Sequence, residues 1–88
     1  MSHEVVVTAT AKRDLQRIPP RIVPAVIEFA FGDLATSPRR VGKPLQRELE
    51  GLLGARRGPY RILYSVDDDA NRVETLRIDH RSDVSRSD

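Results

Sequence analysis

The feature that most constrains the fold of this chain is the alternation of apolar and polar side chains over residues 60–66. Successive side chains of a β-strand point to opposite faces of a sheet, so the alternation predicts a strand with one row of side chains in a core. The buried row is Tyr60, Ile62, Tyr64 and Val66. Arg61 then lies on the other face, together with Leu63 and Ser65.

A Gly-Pro dipeptide at residues 58–59 predicts a two-residue hairpin turn before this strand. In that register Arg57 lies opposite Tyr60, and Arg56 lies opposite Arg61. Like charges directly across a ladder repel each other, whereas an anion between them would reverse the sign of the interaction. We therefore interpret the arginine pair as a candidate anion site. The alternatives are solvated surface charges with diverging heads, or a longer loop that shifts the register by one residue.

The rest of the chain predicts an α+β domain with the order β-α-α-β-β-β. The predicted elements are a buried strand at 4–8, a helix capped by Thr10 and ending at Arg17, a helix over 21–35 closed by Ser37-Pro38, a basic connection at 39–50 with a helical turn at 45–49, and strands at 52–57, 60–66 and 72–79. We expect residues 1–88 to form a single domain, in which two N-terminal helices pack on one face of a small antiparallel-rich, four-stranded sheet.

Two apolar rows complete the predicted core. The second helix carries a stripe at helical spacing, which consists of Val23, Val26, Ile27, Ala30, Phe31 and Leu34. In the last strand, alternation is expected to place Leu76 and Ile78 on one face. Neither row carries a chemically reactive side chain, so we assign both to packing.

Charge is segregated along the chain. The net charge is +2, but residues 39–61 carry seven basic and two acidic side chains, which gives +5 for that segment. Such a basic block predicts a phosphate-bearing or acidic partner. Cysteine is absent, which excludes disulfides and thiolate metal sites. No apolar stretch approaches the roughly 20 residues of a membrane span, so we expect a cytoplasmic protein.

The arginine-rich face suits the cleavage of RNA. A guanidinium group is permanently charged and stabilises the charge that builds on a phosphate under attack, while RNA supplies its own nucleophile, the 2′-hydroxyl. An imidazole can donate or accept a proton near neutral pH, which makes His80 a candidate for proton transfer, and Lys43 is a second candidate for charge or proton transfer. The alternative for His80 is an ordinary surface residue. Neither a metal-ligand spacing nor a phosphate-binding glycine loop is present, so we expect no metal and no cofactor.

Several segments of the chain resemble a known family. The segments TATAKRDLQRIPPRI, GKPL, ARRGPYRILYS and LRIDHRSDV resemble the RelE family of bacterial toxins, in particular the actinobacterial branch of toxin–antitoxin systems. The resemblance extends from Val5 to Val84. It implies a small antiparallel-rich sheet with two N-terminal helices, in agreement with the elements predicted above.

The resemblance implies a metal-independent endoribonuclease that cleaves messenger RNA in the ribosomal A site. A cognate antitoxin of the RelB or Phd type is expected to wrap around the toxin and neutralise it. By position, Arg61 matches the family's phosphate-stabilising arginine, and Arg81 matches an arginine credited with leaving-group or phosphate stabilisation. The residues assigned to RNA binding are Arg56, Arg57, Lys43, Arg39 and Arg40.

Two departures from the family pattern leave the general base open. Better-studied members carry lysines where this chain has Leu52 and Gly54, and many carry a tyrosine at the place of Ser85. Activity is then either low, or base duty falls to His80. Two further functions stay open: a ParE-type inhibitor of DNA gyrase, which shares the fold, and a binding module whose basic face docks an acidic partner segment.

Overall fold

The computed structural model describes residues 3–80. In chain order the elements are β1 (Glu4–Val7), α1 (Ala9–Arg17), α2 (Val23–Phe29) followed by a π-helical turn (Ala30–Leu34), α3 (Pro38–Val41), β2 (Gly42–Pro44), a 3₁₀ turn (Arg47–Leu49), β3 (Leu53–Arg57), β4 (Tyr60–Asp67) and β5 (Arg72–His80). The strands form one sheet in the order β1-β5-β4-β3-β2, in which only the pairing of β1 with β5 is parallel. The predicted α+β class is confirmed.

The sheet has five strands instead of the predicted four, because β2 forms inside the basic connection. This short strand pairs antiparallel with β3 and places Lys43 opposite Gly54. A Gly-Lys-Pro segment has little strand propensity of its own, and proline is tolerated in a sheet chiefly on an edge strand. Pairing with β3 therefore decides this strand, and local sequence does not.

The N-terminal elements differ from the prediction in two respects. The first strand was predicted to be buried, but β1 lies at the sheet edge, and Val6 is 38% exposed. The first helix begins at Ala9, because its N-cap is Thr8 and not Thr10. The Thr8 backbone is extended, and its hydroxyl accepts a hydrogen bond from the amide of Ala11 at 3.2 Å, which satisfies one free donor of the first turn.

The second helix begins later than predicted and changes its winding. It starts at Val23, which leaves Pro24 in the first turn, where a missing amide costs no hydrogen bond. At Ala30 it becomes π-helical, and Phe31 is 54% exposed instead of contributing to the apolar stripe. Pro38, which was expected to close the helical pair, begins the short helix α3.

A β-bulge divides β5 into two halves that face differently. Leu63 pairs with Arg77, whereas the next residue of β4, Tyr64, pairs with Thr75, so Leu76 is an extra residue on β5. Thr75 and Ile78 are consequently both buried, although they are three positions apart. Ile78 belongs to the hydrophobic core, whereas Leu76, the extra residue of the bulge, is only partly buried and outside the core cluster, so the two do not form the single core row that was predicted.

The core fills the space between the helices and one face of the sheet. Its fully buried side chains come from both layers, namely Leu34 and Val26 from the helices and Tyr64, Ile62, Val73 and Thr75 from the sheet. The opposite face, called the open face below, carries Gly54, Arg56, Arg61 and Leu63. No helix within residues 3–80 is long and apolar enough to cross a membrane.

Candidate nucleic-acid interface

The β3–β4 hairpin places two arginines side by side on the open face. Arg56 pairs with Arg61 and Arg57 with Tyr60, as the two-residue turn predicts. Gly58 in that turn has a φ of 60°, which glycine adopts without strain. The register of the arginine pair is therefore confirmed.

Both arginines line a surface depression with a volume of about 440 Å³, called the basic recess below. Its wall consists of Val41, Lys43, Pro44, Leu45, Gly54, Arg56 and Arg61. The volume falls within the roughly 300–1,000 Å³ typical of ligand sites. The three cationic side chains come from three neighbouring strands, so the recess exists only because β2 joins the sheet.

Gly54 forms the centre of the basic recess. It lies between Lys43 on β2 and Leu63 on β4 in the ladder. A Cβ atom at this position would lie 3.0 Å from Nε and 3.2 Å from Nη2 of Arg61. The guanidinium group of Arg61 thus packs directly over the glycine, in space that a side chain would occupy.

The cations of the basic recess have no acidic partner among residues 3–80. No carboxylate oxygen in that range lies within 4.0 Å of the charged nitrogens of Lys43, Arg56 or Arg61. Two arginines elsewhere in the sheet behave differently, since Arg72 pairs with Glu4 at 3.1 Å and Arg77 with Asp14 at 2.9 Å. The recess therefore concentrates positive charge that a phosphate can neutralise.

A buried tyrosine fixes the segment that carries Lys43. The hydroxyl of Tyr64 donates a hydrogen bond to the carbonyl oxygen of Pro38, at the start of α3. Gly42 packs against the same hydroxyl so closely that a Cβ atom there would overlap it. Burial raises the pKa of Tyr64 to about 12, and the nearby charge of Arg39 lowers it by a smaller amount. Tyr64 therefore stays protonated and donates at neutral pH.

Arg39 and Arg40, which were predicted to bind RNA, both lie exposed on α3. Arg39 is engaged outside the basic recess, because its Nη2 lies 2.6 Å from Oδ2 of Asp68 in the β4–β5 turn. That contact lowers the pKa of Asp68, and His3 assists from 3.7 Å. Neither arginine lines the recess.

Two of the predicted site residues, Arg57 and His80, lie on the face of the sheet that the helices cover, opposite the open face. Arg57 pairs with Tyr60, and it lines a depression with Glu28 and Asp33. His80 also pairs with Tyr60, and the two rings meet edge-on with centroids 5.3 Å apart. Since Tyr60 and Arg61 are adjacent in β4, the structure does not bring His80 to the basic recess. Arg81 lies outside the described residues.

Sequence reasoning missed Gly54 as a part of the site and counted it only as a lost lysine. No local signal marks it, because the contact with Arg61 depends on three strands lying side by side. The face of His80 did have a signal. His80 follows Ile78 by two positions, and an apolar Ile78 points to the core, so His80 belongs to the same face.

Within residues 3–80 no group of three or more His, Asp or Glu side chains is arranged to hold a metal ion. The basic recess offers cationic and not anionic groups, so its chemistry favours an anion over a cation.

The chain is thus a small α+β domain with a five-stranded mixed sheet, helices on one face of the sheet and a basic recess on the other. Residues 5–84 match the family described as ParE toxin of type II toxin-antitoxin system, parDE. The chain belongs to this family and is a toxin of a type II toxin–antitoxin module.

Individual relatives confirm the resemblance to RelE toxins. Toxin RelG of Mycobacterium tuberculosis is 58% identical over 86 residues, which cover 98% of this chain and 99% of that protein. Toxin RelE of the same organism is 54% identical over 80 residues, which cover 91% and 82% of the two chains. A chain in the crystal structure of the toxin–antitoxin complex RelBE2 from this organism superposes with a TM-score of 0.90 at 57% identity, and covers 93% and 94%.

A more distant relative shows the same fold. The archaeal RelE–RelB complex from Pyrococcus horikoshii contains a chain with a TM-score of 0.71 at 25% identity, over 92% of this chain and 97% of that one.

Proposed function

We propose that this toxin is a ribosome-dependent, metal-independent endoribonuclease that cleaves messenger RNA in the ribosomal A site. The proposal rests above all on the convergence of Lys43, Arg56 and Arg61 on one recess, without an acidic partner among residues 3–80. Two guanidinium groups and one ammonium group, presented by adjacent strands, match the charge that develops on a phosphate under attack.

The reaction uses a nucleophile that RNA carries itself. The 2′-oxygen attacks the adjacent phosphorus and forms a new P–O bond, while the bond from phosphorus to the 5′-oxygen breaks. One proton leaves the 2′-hydroxyl and one is added to the departing 5′-oxygen, so the products end in a 2′,3′-cyclic phosphate and a 5′-hydroxyl. Arg61 and Arg56 stabilise the negative charge of the phosphorane, and Lys43 adds a third charge from β2.

The remaining groups of this mechanism are assigned to His80, the last residue of β5, and to Arg81, which follows it. Arg81 keeps its assignment to leaving-group or phosphate stabilisation, which rests on its position in the family pattern. His80 lies on the face opposite Arg61, so it reaches an RNA in the recess only around the end of the sheet. Proton transfer by His80 is tested with His80→Gln. Cleavage at the wild-type rate by that variant would remove the histidine from the reaction.

The proposed partners follow from the charge of the recess and from the relatives. The similar chain from Pyrococcus horikoshii was solved in a RelE–RelB complex, and that from Mycobacterium tuberculosis in the toxin–antitoxin complex RelBE2. We infer that a cognate antitoxin, through a helical and partly acidic segment, covers part of the basic recess of this chain. Ribosome and messenger RNA are the other partners, in the cytoplasm. Binding through arginines should weaken as salt is raised.

The central test is Arg61→Ala, assayed with purified ribosomes, a defined message and mapping of new 5′ ends. We expect cleavage to fall by about 10²–10³-fold, because one group that stabilises the transition state is removed. Arg72→Ala is the matched control, since it removes a strand arginine that pairs with Glu4 away from the recess. The assignment of Arg61 is wrong if Arg61→Ala cleaves the message as fast as Arg72→Ala.

The chemistry has its own test. A message with a single 2′-deoxy nucleotide at the cleaved position should resist cleavage at that position only. Cleavage there at the normal rate would exclude the 2′-hydroxyl as the nucleophile and would refute the proposed reaction.

A second candidate function is the inhibition of DNA gyrase. One observation favours it, because the family that matches this chain is named after ParE toxins. Supercoiling by purified gyrase in the presence of this chain separates the two functions. Inhibition of supercoiling without any new RNA ends would replace the proposed activity by the second one.

A further inference from the structure

Arg61 faces an acidic residue across the ladder. In β5 the residue paired with Arg61 is Asp79, which lies beyond the bulge at Leu76. Directly opposed residues of an antiparallel pair have Cβ atoms about 4.5–5.5 Å apart, so an arginine and an aspartate in these positions can form an ion pair. Such a pair would neutralise Arg61 and compete with any phosphate in the basic recess.

The structure shows a different pairing of Asp79. Its Oδ1 lies 3.3 Å from Nη2 of Arg77, and neither of its carboxylate oxygens is within 4.0 Å of the charged nitrogens of Arg61. Arg77 pairs with Leu63 in the ladder, two positions along β5 from Asp79. The bulge sets both residues on the face of Arg61, which lets Arg77 bind Asp79.

A buried carboxylate holds Arg77 in turn. Oδ2 of Asp14 in α1 lies 2.9 Å from Nε of Arg77 and also accepts the amide of Ile78 at 2.9 Å. A second contact joins Nη2 of Arg77 to Oδ1 of Asp14 at 3.5 Å. Asp14 is only 5% exposed and therefore provides a fixed anchor. Arg77 thus connects a structural acid in the helix layer with the acid that faces Arg61.

We propose that Arg77 is a positioning residue that keeps the carboxylate of Asp79 away from Arg61, so that Arg61 stays available for an anion. The inference rests on the proposed function only for the nature of that anion, an RNA phosphodiester. Arg77 has a structural role as well, because it neutralises Asp14. The two roles involve different acids, and they can be separated experimentally.

The experiment measures binding without cleavage. A 2′-O-methyl RNA hexamer, which lacks the nucleophile, is titrated into the full chain, and the Nε–H resonance of Arg61 is followed by NMR. The variants are Arg77→Gln, Asp79→Asn and their combination. Glutamine can still donate a hydrogen bond to Asp14, which favours a folded variant. Glu74→Gln in the Arg77→Gln background is the matched control, since it removes an acid of β5 that lies opposite Ser65 and not Arg61.

We expect Arg77→Gln to bind the hexamer about two- to fivefold more weakly, the magnitude of one exposed ion pair in competition. Asp79→Asn should restore the affinity in that background and change it less in the wild-type chain, where Asp79 is already bound. Glu74→Gln should not restore it. The Arg61 resonance should shift in Arg77→Gln and return to its wild-type position when Asp79→Asn is added. The melting temperature should stay below that of the wild type in both variants, since Asp14 has lost its charged partner.

Equal recovery by Asp79→Asn and Glu74→Gln would overturn the inference, because net charge alone would then explain the affinity. An Arg61 resonance that is unchanged in Arg77→Gln would overturn it as well. A chain that binds the hexamer with this pattern but cleaves no message would refute the nuclease and leave the inference standing. Absence of hexamer binding by the wild-type chain would overturn the inference alone, because the proposed nuclease acts on RNA held by the ribosome and is tested by cleavage there.

Discussion

Replacing Tyr64 by phenylalanine should make the difference in stability between variant and wild type change sign with pH. The Tyr64 ring is fully buried, and its hydroxyl donates to the Pro38 carbonyl. Near pH 7 the variant loses this hydrogen bond and leaves the carbonyl without that donor. The expected loss is about 1–2 kcal/mol of unfolding free energy.

At alkaline pH the wild type loses unfolding free energy through the ionisation of Tyr64, and the variant does not. Burial raises the pKa of Tyr64 from 10.0 to about 12 in the folded state. As the pH rises, the Tyr64 hydroxyl therefore ionises in the unfolded chain before it ionises in the folded chain. The unfolding free energy of the wild type is unaffected below pH 10 and falls as the pH rises towards 12. The loss amounts to about 3 kcal/mol at its limit. Since this exceeds the cost of the missing hydrogen bond, the stability curves should cross between pH 10 and pH 12.

The difference in unfolding free energy is measured by urea unfolding followed by circular dichroism. The measurements run from pH 7 to pH 11.5, which is about half a unit below the folded pKa of Tyr64. Other titrating groups occur in both proteins and cancel in the difference. Tyr60→Phe serves as the matched control, since Tyr60 is also buried but contacts His80 through its ring. A difference between Tyr64→Phe and wild type that stays constant over this range would refute the reasoning.

Two further substitutions test the architecture of the site. Gly54→Val should reduce the rate of cleavage on ribosomes at least about tenfold while the chain still folds, because the new side chain displaces the Arg61 guanidinium, whose Nε lies 3.0 Å from the Cβ position. Undiminished cleavage by this variant would contradict the prediction. Asp14→Ala should lower the unfolding free energy by about 2–4 kcal/mol, because Arg77 and the amide of Ile78 both lose their acceptor. A urea midpoint equal to that of the wild type would show that this contact contributes nothing.

The fold could be predicted where local signals agree with one another. The alternation that begins at Tyr60 fixes the buried face of β4, and the two-residue turn at 58–59 fixes the register with β3. Together they predict that Arg56 faces Arg61 without any reference to the rest of the chain. Turn chemistry and period 2 act over a few residues, which is why this part of the site follows from the sequence.

The rest depends on contacts between distant segments. The strand β2 is a strand because β3 offers it a free edge, and Gly54 belongs to the recess because Arg61 lies over it. The bulge at Leu76 reverses the alternation of β5, and an apolar pattern read by period alone therefore assigns the wrong residues to the core. Thr8 replaces Thr10 as the helix cap because β1 ends at Val7. None of these features has a signal within its own few residues.

The placement of acids explains how a small domain tolerates clustered cations. Two arginines opposed in a ladder repel each other, and an acid inserted between them would be the simplest stabilising change. Within residues 3–80 the acids that form ion pairs are instead bound elsewhere: Glu4 by Arg72, Asp68 by Arg39, and both Asp14 and Asp79 by Arg77. Among residues 3–80 no acid compensates the repulsion between Arg56 and Arg61. An anion that enters the recess relieves it, so the same arrangement that weakens the isolated domain favours the binding of an anion.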